Sequence, residues 1–462
     1  MLTKEYISKL KNSDNGVLNR LLTPQRDPST LGFILNNLGR LPSNFDGKCL
    51  IPLTIHNNDK IRLLAVKNIG KLSDDSYLTL LDRISGDDNN TMVRREAISS
   101  IGRMRSSKAI PILIKKLIDL DPKVVIQAVR ALLVFKNNSK IKKELLKLKV
   151  HPNELIKNVI EKEFAPVKKY DPSKPKHKES PDFLKNIVVN GDVLSILKYV
   201  ENESIHLTFT SPPYYNARDY SIYQSYKEYL EFLRDVFKEV FRITKEGRFF
   251  ILNTSPIIIP RVSRQHSSKR YPIPFDIHPF LIEMGWEFID DIVWVKPKAS
   301  AKDRNSSFRQ HRKPLAYKPT AVTEYLMVYR KKTHKLIDWN IKQYDYKTVQ
   351  ESKVLGEIDK INTWNVDPTF DKIHTAVFPV ELCNKVIQYY SFKGDLVFDP
   401  FGGSGTFGKS ALNLERFFFL TEISPKYFQR IKENINQSSL FSNNNQTRFL
   451  YYEDFKVKAT RR

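Results

Sequence analysis

Cysteine is nearly missing from this chain of 462 residues, which has only Cys49 and Cys383, far apart. Two distant thiols exclude a disulfide framework and a cysteine cluster with metal-ligand spacing. They fit a reducing, cytoplasmic compartment. Long apolar runs are missing too. No window approaches the ~20 apolar residues of a membrane-spanning helix. The opening, MLTKEYISKLKNSDNG, lacks the apolar stretch of a secretory signal. Acidic residues are in deficit, with 51 Asp and Glu against 76 Lys and Arg, a formal charge of +25. A field of that size attracts polyanions, nucleic acid before anionic membrane.

The length gives a prior of two to three domains, each with room for a core. The first part reads as a helical repeat array over about residues 27–146. Ile61-Arg-Leu-Leu-Ala65-Val-Lys-Asn-Ile-Gly70 aligns with Val93-Arg-Arg-Glu-Ala97-Ile-Ser-Ser-Ile-Gly102 and with Val124-Val-Ile-Gln-Ala128-Val-Arg-Ala-Leu-Leu133. The alanines fall 32 and 31 residues apart, and Gly39 precedes Gly70 by 31. A degenerate first unit is expected to open at Asp27-Pro28, as Asp121-Pro122 opens the last clear one. Each unit buries its apolar stripe only by stacking on the next. The pattern resembles HEAT-type repeats, so residues 1–150 are expected to be an all-α binding or scaffolding domain. A basic linker is expected over 151–182, where the stretch APVKKYDPSKPKHKESP carries five lysines and four prolines. Such a stretch is extended and solvated.

From residue 183 the pattern alternates strands and helices. Ile187-Val188-Val189 is a strand before the Asn190-Gly191-Asp192 turn. Ile205, Leu207 and Phe209 alternate with His206 and Thr208 in a second strand. A helix is expected over 226–244, with Lys245 and Gly247 as stop signals. Further strands are expected at 248–252, 288–295, 323–329, 396–398 and 417–420, and a helix at 380–390. This order predicts an α/β, doubly wound sheet over 183–462.

The stretch LVFDPFGGSGTFGKS at 396–410 is a strand, a glycine-rich turn and a helix start. It fits three templates at once. Gly403-x-x-x-x-Gly408-Lys409-Ser410 matches a phosphate-binding P-loop letter for letter. Gly403-x-Gly405-x-x-Gly408 matches a dinucleotide fingerprint. Asp399-Pro400-Phe401-x-Gly403-Ser404-Gly405-Thr406 is similar to the cofactor loop of S-adenosylmethionine methyltransferases. Glu422, closing the next strand, would serve a P-loop enzyme as a magnesium acid or a methyltransferase as a ribose acceptor.

Thr210-Ser211-Pro212-Pro213-Tyr214 separates these readings. Two prolines cannot continue a ladder, so the chain leaves the sheet there. The pentapeptide resembles the catalytic loop of DNA amino-methyltransferases of the β class, in which the catalytic loop precedes the cofactor loop, as here. The resemblance covers roughly residues 183–436 and does not reach the repeats. A P-loop NTPase or a nicotinamide oxidoreductase leaves 210–214 and 399–401 unexplained, and the intact Ser211–Tyr214 argues against a non-catalytic DNA-binding scaffold.

The resemblance implies a site-specific enzyme acting on double-stranded DNA with S-adenosylmethionine as cofactor. It implies a bacterial or phage restriction-modification or related setting, in which a cognate restriction endonuclease would be the partner. The target would be a flipped base. The exocyclic amine of cytosine or adenine is a poor nucleophile, because its lone pair is conjugated with the ring. Ser211 Oγ and the Pro212 carbonyl are acceptors for its N–H groups, Pro213 stiffens the loop, and Tyr214 offers a stacking face. Serine at the first position is characteristic of cytosine-N4 enzymes within the family, and aspartate of adenine-N6 enzymes. Ring-carbon chemistry needs a cysteine after a proline, and Cys49 follows Lys48 while Cys383 follows Leu382.

By the same resemblance Asp192, Thr210, Phe378, Asp399, Pro400, Phe401, Gly403, Ser404, Gly405, Thr406 and Glu422 bind the cofactor. His374 belongs to the segment before the cofactor strand. Residues 297–371 are available for target recognition. Two basic stretches are candidate DNA contacts, one with Arg261, Arg264, Lys269 and Arg270, the other with Lys298, Lys302, Arg304, Arg309, Arg312 and Lys313.

Overall fold

In the first 165 residues, short helices begin at side-chain caps that recur with the repeat. Asn58, Asn90 and Asp121 each accept the amide two residues on, starting the helices Asp59–Leu72, Thr91–Met104 and Pro122–Leu133. Each such cap contributes about 1 kcal/mol. Asp27 caps Pro28–Asn37 by accepting the amide three residues on, that of Thr30, as the degenerate first unit requires. The computed structural model describes residues 2–12, 16–42, 45–165, 177–215, 223–259, 263, 265–266, 268–300, 314–315, 319–369, 377–439 and 447–461. The chain divides into two compact units, Met1–Tyr170 and Asp171–Arg462.

In the first unit the second helices of successive repeats stack in a row, and the repeated small residues lie at their seams. A Cβ on Gly70 would fall 2.4 Å from Ser100 Cβ, and one on Gly102 2.6 Å from Ala131 Cβ. Equivalent side chains also bond backward across the seam. Asn68 Nδ2 donates to the Leu35 carbonyl at 3.0 Å, and Ser100 Oγ to the Val66 carbonyl at 3.2 Å. Arg62–Asp88 and Arg95–Asp121 ion pairs tie each second helix to the turn before the next. Gly102→Val should therefore force the row apart and lower unfolding stability by about 1–3 kcal/mol. A urea midpoint equal to the parent's would show that the seam is not close-packed.

Helix Glu154–Phe164 corrects the expected 151–182 linker. Ile156 and Ile160 are fully buried in the core of the repeats, so the array runs past residue 150. Two inward isoleucines four apart carry this helix, and the lysines around them hid it. Of the Lys/Pro stretch, residues 166–176 lie outside the described residues.

The second unit is built on strands β1 (Ile187–Asn190), β2 (Ile205–Thr210), β3 (Thr244–Thr254), β4 (Ile257–Ile259), β5 (Lys269–Tyr271), β6 (Trp286–Val295), β7 (Thr323–Lys331), β8 (Thr363–Asn365), β9 (Leu396–Asp399), β10 (Phe417–Glu422) and β11 (Arg448–Tyr451). Nine form one sheet in the order β11-β1-β10-β9-β2-β3-β7-β6-β8, while β4 and β5 make a separate hairpin. From β11 to β3 neighbours are parallel, and β7 runs antiparallel to both β3 and β6. Both faces are covered. Ile187, Phe398 and Phe419 face a core with helices Tyr226–Ile243 and Ile273–Met284. Val188, Leu207 and Val397 face another with Val380–Tyr390, Thr406–Asn413 and Pro425–Ser439. This is the expected α/β architecture with helices on both sides of the sheet.

Two local expectations are corrected. Lys245 and Gly247 do not open a loop after the helix. Ile243 passes directly into β3, Lys245 is buried with its ammonium on the Lys178 carbonyl, and Gly247 takes a φ of +71°. The span 297–371 is not a separate recognition region throughout. β7 lies inside it and is an internal strand of the sheet, with Leu326 and Val328 fully buried, and β8 extends the sheet edge.

The sheet places the site. β9 continues in the chain to β10 on one side, and β2 to β3 on the other. The carboxyl ends of β2 and β9 therefore border the crevice where strand order diverges, the usual ligand position in open α/β sheets.

Candidate active site

β2 and β9 are hydrogen-bonded neighbours, so residues 189 positions apart meet at their ends. Thr210 Oγ1 donates to Asp399 Oδ1 at 2.6 Å. Beyond Thr210 the chain leaves the sheet at Ser211, Pro212 and Pro213. Beyond Asp399 it turns through Pro400 and Phe401 into the glycines. The two loops singled out in the sequence thus start from one buried contact.

The glycine loop is internally bonded. Phe401 N–H donates to Asp399 Oδ1 at 3.0 Å, and Gly403 N–H to Glu422 Oε2 at 2.9 Å. The Gly402 and Gly405 amides donate to the carbonyls of Thr421 and Gly402, both at 2.8 Å. Gly403 and Gly405 have φ of +56° and +77°, where glycine is favoured. Gly402 also lets the turn close, since a Cβ there would lie 3.2 Å from the Thr421 carbonyl oxygen. Ser404 and Thr406 hydroxyls bond one another at 2.9 Å.

This arrangement disfavours the P-loop reading. A P-loop points its amides at phosphates, yet four amides of this loop are engaged by the protein's own oxygens. Two carboxyls also stand at its mouth, where phosphate would be repelled. Gly408 packs on β10, a Cβ there falling 2.9 Å from Leu420 Cδ1, which is a helix–strand packing role.

Both carboxyls are perturbed. Burial pushes Asp399 up to about 7, against the pull of the Thr210 hydroxyl and the Phe401 amide. Burial also pushes Glu422 up to about 7, aided by Asp399 and opposed by the amides of Ser424 and Gly403. Each carboxylate oxygen accepts two bonds, so Glu422 retains capacity beyond Gly403 and Ser424. A glycine cradle with buried acceptor groups fits a ligand that is cationic and bears hydroxyl donors. Asp192, at the end of β1 next to β10, caps helix Val193–Leu197 through Ser195 N–H at 2.8 Å. Phe378 stacks on Phe209 of β2, with ring centroids 4.5 Å apart.

The catalytic-loop candidates are held by groups that the sequence did not single out. Tyr214 Oη lies 3.5 Å from Glu324 Oε2 at the start of β7, and is also bonded to the hydroxyls of Ser255 and Ser211. Burial, then the Glu324 charge, push this phenol well above its ordinary range. Glu324 is paired with Lys296, whose ammonium sits 4.2 Å from the centre of the Trp294 ring. Tyr215 is buried among Tyr226, Tyr229 and Tyr271, with centroids 4.9–5.7 Å away. That cluster fixes the loop to helix Tyr226–Ile243 and to β5. The only sequence signal for it was the density of tyrosines in 214–230.

Among the basic candidates, Lys269 and Arg270 are exposed on β5, next to the tyrosine cluster, and Lys298 is exposed after β6. Lys269 and Arg270 thus belong to a strand, Lys269–Tyr271. Arg261, Arg264, Lys302, Arg304, Arg309, Arg312 and Lys313 lie outside the described residues, as does His374. Burial holds both thiols protonated, Cys49 pushed up to about 11 and Cys383 well above its ordinary value. Neither is poised as a nucleophile.

The DNA methylase family matches residues 205–433, and HEAT repeats match residues 49–133. The Type II methyltransferase M.Cfr9I of Citrobacter freundii is 30% identical over 270 residues, covering 51% of this chain and 83% of that protein. The Type II beta methyltransferase M.BslI of Bacillus sp. (strain NEB-606) is 28% identical over 251 residues. There the match covers 52% of this chain but spans only 26% of the relative. A solved putative DNA modification methylase of Thermus thermophilus, complexed with S-adenosyl-L-methionine, aligns at 22% identity and a TM-score of 0.45. It covers 58% of this chain and 97% of its own.

Proposed function

Because the chain belongs to the DNA methylase family, we propose that it methylates an exocyclic amine of a base in double-stranded DNA, using S-adenosylmethionine. Cytosine N4 is the favoured target, on the strength of serine at position 211. Adenine N6 is the alternative within the same chemistry. The observation that supports the reading most is the Thr210–Asp399 hydrogen bond of 2.6 Å, which sets the 211–214 loop beside the glycine loop. We further propose a restriction-modification or related setting with a cognate endonuclease, on the strength of family membership.

Asp399, Phe401, Gly403, Ser404, Gly405, Thr406 and Glu422 would hold the cofactor, with Asp192 beyond Glu422 on the neighbouring strand. Bound S-adenosylmethionine supplies an electrophilic methyl group on a cationic sulfonium. The protein's contribution is placement. Ser211 Oγ and the Pro212 carbonyl accept the amine's N–H groups and turn its lone pair toward the donor. Tyr214 supports the ring of the flipped base. Its hydroxyl, held by Glu324 and two serines, keeps that face in register with Ser211. No covalent enzyme intermediate is needed, consistent with two protonated thiols. Lys269, Arg270 and Lys298 are the described candidates for phosphate contacts.

The cofactor assignment has a direct test. S-adenosylmethionine at a hundredfold excess over its Kd should stabilise the protein by about 2.7 kcal/mol, while ATP or NAD should not. Stabilisation by ATP alone would return the P-loop reading. Binding should also depend on pH. A cation and hydroxyl donors favour the charged forms of Asp399 and Glu422, which lie at about 7 in the free protein. Affinity should therefore rise as pH rises toward 7, with protons released on binding below it. Calorimetry in two buffers of different ionisation heat measures the release. Proton uptake would contradict the assignment.

A further inference from the structure

The repeat unit carries a basic strip that the methyltransferase reading does not use. Residues 91–165 hold 17 Lys and Arg against 7 Asp and Glu, whereas residues 1–90 hold 12 against 10. Over residues 1–165 together that is 29 against 17, and some of the cations of both stretches are ordered along the row of second helices. Lys67 and Arg130 occupy equivalent repeat positions, one turn before those of Lys71 and Arg103. Lys67 and Arg130 are exposed, and the Arg103 side chain is 40% exposed.

The cations converge across helices. Lys71 is lowered from its ordinary value, first by burial and then by Lys67, Arg103 and Lys11, against the opposing pull of Glu96. Glu96 is itself paired with Arg103. Two of the lysines are fixed by backbone. Lys11 Nζ donates to the carbonyls of Leu38 and Arg40 at 2.9 and 3.0 Å, and Lys71 Nζ to that of Gly39 at 3.0 Å. Carbonyls just after helix Pro28–Asn37 hold two of these like charges together, and an anion over them would relieve the repulsion that remains. Their immobilisation also lowers the entropy cost of binding one.

We propose that Lys11, Lys67, Lys71, Arg103 and Arg130 form a phosphate-binding strip for duplex DNA, making the repeats a sequence-independent DNA-holding surface in addition to the catalytic unit. The inference rests on DNA being the substrate. Packed helices lie about 8–10 Å apart, so Lys71 and Arg103 stand on neighbouring helices of the row and Lys67 and Arg130 on helices with one between them, a spread that meets more than one phosphate of a duplex. Lysine and arginine reaching phosphates position a duplex without reading its sequence.

The test uses the full-length protein and a duplex of arbitrary sequence, with affinity measured across a salt series. The triple variant Lys67→Gln, Arg103→Gln, Arg130→Gln should flatten the log–log salt slope by about 2–3 units and weaken binding roughly tenfold or more. The double variant Lys67→Gln, Arg130→Gln leaves the Arg103–Glu96 pair intact and should give about two-thirds of the slope change. Lys140→Gln, Lys142→Gln, Lys143→Gln removes equal charge from helix Ser139–Lys147 and should leave the slope unchanged. A parent-like slope in the strip variants overturns the proposal and points to an acidic protein surface instead. An equal change in the control variant also overturns it. A parent that binds no duplex at all would contradict the DNA reading itself, and is distinguishable because no slope is then measured.

Discussion

Ser211→Ala should lower methyl transfer to DNA by about a hundredfold or more while S-adenosylmethionine still binds. The geometry separates the two effects. The contact between the loops runs through Thr210, whose hydroxyl meets Asp399 at 2.6 Å, and not through Ser211. Loss of the Ser211 hydroxyl removes a partner from Tyr214 and, on the proposed function, an acceptor from the amine, but leaves the glycine loop bonded as before. Tyr214→Ala should have a loss of similar size, again with cofactor binding retained. Glu324→Gln should cost less, because on the proposed function Glu324 only positions Tyr214, which it meets at 3.5 Å, and the glutamine amide keeps a hydrogen-bonding group there. Single-turnover transfer of a labelled methyl group, beside calorimetric cofactor binding, reads both quantities. Loss of binding in Ser211→Ala would show that the 211–214 loop supports the cofactor rather than the base.

Asp395→Ala should be the most damaging substitution for stability, at about 3–5 kcal/mol. Asp395 precedes β9, at the opposite end of that strand from the site, and is fully enclosed with Arg248, His206 and Tyr344. Arg248 also donates to the Tyr344 hydroxyl at 3.0 Å and to the His206 carbonyl at 3.2 Å. Removing the carboxylate leaves a guanidinium buried without its counter-charge, and frees the segment that Tyr344 anchors. The pH dependence follows from the same group. Burial alone would raise the Asp395 carboxyl, but Arg248 and His206 bring it below its ordinary 3.8. Its contribution is therefore complete above that value and is lost as pH falls through the lower, folded-state value. Denaturant unfolding at neutral and acid pH measures both. The gap between parent and variant should narrow on acidification, and a gap that widens would contradict the assignment.

The sheet was legible where strands were apolar and bounded by turns. Ile187, Leu207, Val397 and Phe418 announced β1, β2, β9 and β10 with no tertiary information. The two site loops were legible for a related reason: proline pairs and glycine clusters stand out against strands. Three kinds of feature were hidden. Helix Ile273–Met284 contains the interior Pro279, a residue that argues against a helix, and burial of Ile277, Phe280 and Leu281 offsets it. β11 is the short run Arg448–Tyr451, which becomes a strand by parallel pairing with β1. Glu324, Lys296 and Tyr215 reach the site because β7 runs antiparallel beside β3 and because tyrosines cluster across elements. No local pattern encodes either fact. The polar cluster around Asp395 was hidden for the same reason, since His206, Arg248, Tyr344 and Asp395 are brought together only by the sheet.

Sequencing of modified bases in DNA from cells expressing the parent protein or Ser211→Ala tests the central claim most directly. The account predicts that one short sequence motif carries N4-methylcytosine in the parent's DNA and is unmodified in the variant's. No modified base in the parent's DNA, or the same modification in both, would contradict it.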